Sequence, residues 1–192
     1  MTDPVEPRSA GVNAPAPAPV ADPVPVEGPL SRASFEELYR DAFDDVFAYA
    51  ATLLRDRGAA EDVVAAAFER AFRRMRTYDA RRGSRRQWLF GIVRHAALDE
   101  LRRRRRIASL AADPAVPEPA IEDELADPVR RATVRAALAG LDARDRELVA
   151  LKFFAGLDNA EIAGVVGISA SNAGTRLHRA VDRLREACHE QS

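Results

Sequence analysis

Apolar residues recur at helical spacing through the first large block of the chain: Phe35, Leu38, Tyr39, Ala42, Phe43, Val46, Phe47, Ala50, Leu53 and Leu54. That period describes an amphipathic helix with one face on a core. Ser34 and Glu37 stand at capping-box spacing at its start, and Gly58 is expected to end it. A second stripe, Val63, Val64, Ala67, Phe68, Ala71, Phe72 and Met75, predicts a helix over about 60–76. A loop from Asp79 to Gly83 then leads to Ser84 and Gln87, another capping pair. The third helix runs through Trp88 to Arg106. Trp88, Leu89, Ile92, Val93 and Ala96 share one side of it, and Phe90, Ala97 and Leu101 another. The helix is therefore wedged between neighbours, with Gln87, Gly91, Arg94, His95 and Arg102 on a polar side left open.

The apolar pattern lapses over residues 107–127 and resumes at Pro128, where Asp127 and Pro128 suit the cap and first turn of a helix. Four helices are expected from there, at about 128–139, 143–154, 159–166 and 170–187. Asp158 with Glu161 supplies a third capping box, and Gly167-Ile168-Ser169 a tight turn. No alternation of useful length predicts a strand. Eight of the twelve prolines lie in residues 1–30, which carry almost no large apolar side chains and read as a disordered or polyproline-like tail. The expected fold class is all-α: two small helical domains, 33–106 and 128–188, a tail over 1–32, and a flexible acidic linker over 107–127.

Charge changes this picture. The whole chain carries a net charge of −1, yet residues 69–106 hold fourteen arginines against four carboxylates. Residues 107–127 hold six acidic residues and no basic ones. The basic block suggests a polyanionic partner. Cys188 is the single cysteine, so no disulfide forms within one chain, and three scattered histidines build no zinc site. No apolar run approaches the ~20 residues of a membrane span, and no secretory leader is visible, so a cytoplasmic protein is expected. No nucleophile–base arrangement, phosphate loop or carboxylate pair suggests an active site. No enzyme, no metal and no cofactor are expected.

The last two helices have the pattern of a helix-turn-helix. Ala160, Ile162, Ala163, Val165 and Val166 pack the first; Ala173, Leu177, Ala180, Val181, Leu184 and Ala187 seat the second. Ser171, Asn172, Thr175, Arg176, His178 and Arg179 are left facing outward near the N-terminal end. A recognition helix presents such residues to base edges and phosphates in the major groove. Arg102 to Arg106 have two open readings: contacts to phosphates, or a solvated helix end favoured by the helix dipole.

The segment LAGLDARDRELVALKFFAGLDNAEIAGVVGISASNAGTRLHRAVDRLREA resembles region 4 of bacterial RNA polymerase sigma factors. FEELYRDAFDDVFAYA, AEDVVAAAFERAFR and WLFGIVRHAALDELRRRRR resemble region 2 of the same family. Regions 2 and 4 joined directly are similar to the extracytoplasmic-function (ECF) group. The resemblance implies binding to core RNA polymerase through the β′ clamp helices and the β flap, with Glu61, Asp62, Glu69, Arg70 and Arg73 as the matching exposed residues for the clamp. It implies capture of a flipped base of the −10 element by the loop with Asp79, Arg81, Arg82 and Ser84. Arg94, His95, Arg102 and Arg103 would hold that strand. It implies −35 contacts by Ser171, Asn172, Thr175, Arg176, His178 and Arg179, and control by an anti-sigma factor. His95 stands where the family usually carries Asn, and Gly174 where it usually carries a basic residue. The alternatives are a stand-alone helix-turn-helix regulator that binds duplex DNA without polymerase, and a nucleic-acid-processing enzyme. The second lacks acidic metal ligands at a plausible spacing.

Overall fold

The computed structural model describes residues 29–110 and 128–190, and every regular element among them is helical. The first unit contains α1 (Arg32–Leu54), α2 (Arg57–Arg74) and α3 (Arg85–Leu110); the second contains α4 (Pro128–Gly140), α5 (Ala143–Phe153), α6 (Asn159–Val166) and α7 (Ala170–Glu190). The tail before Pro29, most of the acidic segment and the Asp127 cap lie outside the described residues.

The first helix begins earlier than Ser34. Leu30 is buried, and its N–H donates to the Met75 carbonyl at 3.1 Å, which draws the chain into the core ahead of the helix. Ser31 is then the cap, accepting the Ser34 N–H at 3.1 Å. The helix also ends before Gly58. Arg55 takes the left-handed conformation with φ 52°, and Asp56 caps α2 by accepting the Ala59 N–H at 2.9 Å. Gly58 falls inside the first turn of α2. Left-handed backbone costs a non-glycine residue about 1–2 kcal/mol. Arg55 offsets it with two bonds: its N–H reaches Ala51 O at 2.9 Å, and its guanidinium reaches Ala139 O of α4 at 3.0 Å. The second of these is beyond a glycine.

In the first unit α1, α2 and α3 pack mutually. Ala42, Val46, Tyr49, Val64, Phe68, Leu89, Phe90 and Val93 are buried there, and each large side chain contributes on the order of 2 kcal/mol by leaving water. As expected, α3 buries opposite sides at once. It continues four residues past Arg106, into the stretch expected to be linker.

In the second unit α7 packs on α4, α5 and α6. The capping box of α6 is complete: Asp158 accepts the Glu161 N–H at 2.8 Å and Glu161 accepts the Asp158 N–H at 3.0 Å. Gly167, at φ 81°, makes the turn into α7. The two units are docked, α1 on α5 and α3 on α6, over a continuous apolar core. Tyr49 shows how: its ring meets Phe90 edge-on at 5.4 Å, and its hydroxyl donates to Glu147 of α5 at 3.3 Å. Burial, then the Glu147 charge, pushes that phenol well above its ordinary pKa.

Candidate nucleic-acid interface

Between α2 and α3 the chain makes two short 3-10 turns, Met75–Thr77 and Ala80–Arg82. Local polar groups brace them. Thr77 Oγ1 donates to Arg74 O at 2.8 Å, and Tyr78 OH to Gly83 O at 3.0 Å. Asp79 accepts the Arg81 N–H at 3.1 Å and grips the Arg81 guanidinium with both oxygens at 3.0 Å. The hydrogen bond from Arg81 holds the half-buried Asp79 carboxyl below its ordinary pKa. Gly83 has φ 141°, and a Cβ there would stand 1.9 Å from Gln87 Oε1, so the turn requires glycine.

This braced loop borders a cleft of about 550 Å³. Trp88, Ile92 and Tyr78 supply its apolar surface, with Tyr78 edge-on to Trp88 at 5.7 Å. Arg74, Arg82 and His95 supply the basic groups. Gly164 and Val165 of α6 close one side. Aromatic surface beside cations suits a nucleobase and its phosphate.

Of the residues expected at this site, Asp79, Arg82 and His95 converge on the cleft. Arg81 is engaged with Asp79. Ser84 and Arg94 turn toward the second unit: Ser84 Oγ donates to Glu161, and Arg94 Nε to Glu147 Oε1 at 2.6 Å. The polar side of α3 is thus less open than its sequence implies. Glu147 is only 6% exposed, and a buried carboxylate demands a charged partner. Arg102 pairs with Asp99 at 2.8 Å, and Arg103 grips Glu100 at 2.7 Å. Arg103 lines a separate groove between α2 and α3, together with Asp62 and Arg70. Glu61, Asp62, Glu69, Arg70 and Arg73 are all exposed on α2, where Glu61 pairs with Arg57 and Glu69 with Arg73.

On α7, Ser171, Asn172, Thr175, His178 and Arg179 are exposed. Arg176 instead points inward. Its Nε and Nη2 reach buried Asp145 at 2.9 and 2.6 Å, and Arg183 takes the other oxygen at 3.1 Å. At Gly174 a Cβ would stand 3.1 Å from Asn159 Nδ2, the tip of an exposed side chain that would have to give by only a few tenths of an ångström.

Sequence reading missed Arg74 and Thr77 at the cleft and the whole contact between units. At its centre is Arg86, which pairs with Asp45 of α1 and donates to Ala155 O and, at 3.0 Å, to Phe154 O. It satisfies carbonyls left without helical donors at the end of α5. A signal existed in Asp145 and Glu147, acids set among the apolar positions Leu148, Val149 and Leu151. Charges at core register announce buried partners.

Residues 36–107 match the Sigma-70 region 2 family, and residues 131–184 match Sigma-70, region 4. RNA polymerase sigma factor CarQ of Myxococcus xanthus is 34% identical over 81% of this chain and 94% of its own length. ECF RNA polymerase sigma factor SigL of Mycobacterium tuberculosis is 31% identical over 80% of this chain and 88% of its own. In fold, the chain is similar to the sigma factor RpoE in complex with the anti-sigma factor NepR from Bartonella quintana. That likeness has a TM-score of 0.72 at 23% identity, covering 80% of this chain and 95% of that one. It is also similar to CnrH in complex with the cytosolic domain of CnrY, with a TM-score of 0.61 at 22% identity, covering 84% and 92%.

Proposed function

Because the chain belongs to the ECF group of bacterial RNA polymerase sigma factors, we propose that it joins core polymerase, recognises −10 and −35 promoter elements and promotes promoter melting. The observation that carries this reading is the pairing, in one chain, of the braced aromatic and basic cleft with an exposed recognition helix. In it, one base of the −10 non-template strand leaves the stack and enters the cleft beside Trp88 and His95. Unstacking costs a few kcal/mol, which stacking on aromatic surface and contacts from Arg82 and Arg74 offset. No nucleotide hydrolysis is required, since binding energy opens the duplex. Ser171, Asn172, Thr175, His178 and Arg179 meet the −35 element, while Arg176 holds α7 in place through Asp145. The exposed charges of α2, Glu61, Asp62, Glu69, Arg70 and Arg73, meet the β′ clamp helices, and the second unit meets the β flap. Arg103 belongs with the α2 groove rather than with the −10 strand. RpoE is seen in complex with the anti-sigma factor NepR and CnrH with the cytosolic domain of CnrY, and an anti-sigma factor is proposed here too.

On this reading the docked arrangement is a closed form. Elements named −10 and −35 lie on the order of 85 Å apart at 3.4 Å per base pair. Ser84 touches Glu161, and α6 covers only about 12 Å before the turn into the recognition helix. One closed molecule cannot reach both elements. Residues 111–127 can span up to about 60 Å, which lets the units separate on DNA.

Run-off transcription with core polymerase on a promoter library tests the proposal. Template-dependent transcripts that require both elements are expected. Absence of core binding in a pull-down, with duplex binding retained, would point to a stand-alone regulator.

A further inference from the structure

Five aromatic rings form a strip along the seam of α1 and α2. Phe35 meets Phe72 at 5.4 Å, Tyr39 meets Phe68 at 4.6 Å and Phe43 at 5.4 Å, and Phe43 stacks on Phe68 at 6.0 Å. Phe68 and Phe35 are buried, but Tyr39, Phe43 and Phe72 remain 43%, 38% and 43% exposed. Three neighbouring rings half left in water make one contiguous apolar patch on this seam. The strip extends about 12 Å along α1, from Phe35 to Phe43.

The chain itself arrives at one end of this strip. Leu30 is anchored on Met75, three residues beyond Phe72. The described residues therefore begin toward the Phe35–Phe72 end of the strip. Their sequence between Pro15 and Gly28 is PAPAPVADPVPVEG, five prolines interspersed with Ala and Val. Such a sequence favours the polyproline II helix, which docks on aromatic grooves with little ordering cost. Fourteen residues in that form reach about 43 Å, well beyond the strip, and Gly28 gives the chain freedom to turn back. Residues 1–28 carry Asp3, Glu6, Asp22 and Glu27 against Arg8; at the Met75 end of the strip Arg76 stands exposed, while Arg73 pairs with Glu69.

The size of the strip decides between occupants. Three half-covered rings offer on the order of 250 Å², whereas a stable dimer covers about 800 Å² per partner. A second copy gains too little. A tethered segment needs far less, because its effective concentration is in the millimolar range. We propose that the Pro/Ala/Val segment of residues 15–28 folds back onto the Tyr39–Phe43–Phe72 strip of its own chain. The strip neighbours Glu69 and Arg73, so the docked segment would cover part of the face proposed for polymerase. That consequence rests on the sigma reading; the docking does not.

Photocrosslinking in the full chain tests the docking. With p-benzoylphenylalanine in place of Val20 or Val24, irradiation should give products of monomer mass, independent of protein concentration, whose peptides map to α1 and α2 around Tyr39, Phe43 and Phe72. Replacing Pro17, Pro19, Pro23 and Pro25 with Gly leaves the helical units untouched and should lower the yield at least several-fold. Phe43→Ser with Phe72→Ser should do the same, with circular dichroism reporting that the helices persist. Crosslinks elsewhere, products of dimer mass, no crosslinks, or yields unchanged in the proline variant would each overturn the proposal.

Discussion

His95 stands exposed on the rim of the cleft, and its Nδ1 lies 2.6 Å from the Gly91 carbonyl. A carbonyl only accepts, so Nδ1 is the donor in this contact, and in the neutral tautomer that it selects Nε2 is left as an acceptor. An acceptor there can receive the amino group of a captured base. His95→Ala is therefore expected to change −10 preference, measured by run-off transcription across −10 variants, more than it changes affinity for core polymerase. Equal loss on every variant would assign His95 to folding instead. Arg176 and Arg179 make the contrasting pair. Arg176→Ala leaves Asp145 buried with Arg183 as its nearest remaining cation, and is expected to cost about 2–4 kcal/mol in urea unfolding. Arg179→Ala, on the exposed face, should stay within about 0.5 kcal/mol while weakening −35 binding.

At the scale of elements, the end of α3 is held by acids within its own helix. Glu100 takes Arg103 on one side and Arg104 on the other, and Arg104 reaches Asp56 at the cap of α2. The hydrogen bond from Arg103, seconded by Arg104, lowers the Glu100 carboxyl to about 2. A depressed folded value means stability that is full above the unfolded pKa, about 4.5, and disappears as pH falls toward 2. Glu100→Gln is expected to flatten the acid limb of thermal unfolding between those limits, its loss of stability greatest at pH 7 and vanishing as pH approaches 2. The helices themselves were legible in the sequence, because apolar stripes such as Val63 to Met75 carry the period directly. The boundaries were less so. Ser34 and Gly58 look like cap and stop, but Leu30 and Arg55 win because their partners, Met75 and Ala139, are distant in the chain. Arg176 was legible as a surface residue only until Asp145 was found beneath it.

At the scale of the molecule, the decisive feature is the contact between units, which linear pattern does not encode. Arg86 joins α3 to α1 and to the end of α5, and Ser84 and Gln87 join α3 to α6. Arg86→Ala removes bonds to Asp45, Phe154 and Ala155 together. The expected outcome is a larger radius of gyration in small-angle scattering and tighter binding to isolated −35 duplex, with helix content retained. An unchanged radius would mean that the apolar core shared by the units holds them without Arg86.

Arginines that sit on carboxylates in the closed form also alter how this protein experiences salt. An unpaired arginine that meets a phosphate releases about 0.9 of a condensed counterion from duplex DNA. Arg94 must first leave Glu147, and that carboxylate then gathers a cation of its own. Gain and loss nearly cancel, so promoter binding should depend less steeply on salt than the number of basic side chains implies. Glu147→Gln removes the cancellation. The slope of log K against log salt should steepen by up to about 0.9 if Arg94 reaches a phosphate, and an unchanged slope would exclude Arg94 from the DNA backbone. The same ion pairs that fold the molecule shut would thus keep its grip on a promoter steady as the ionic strength around it rises and falls.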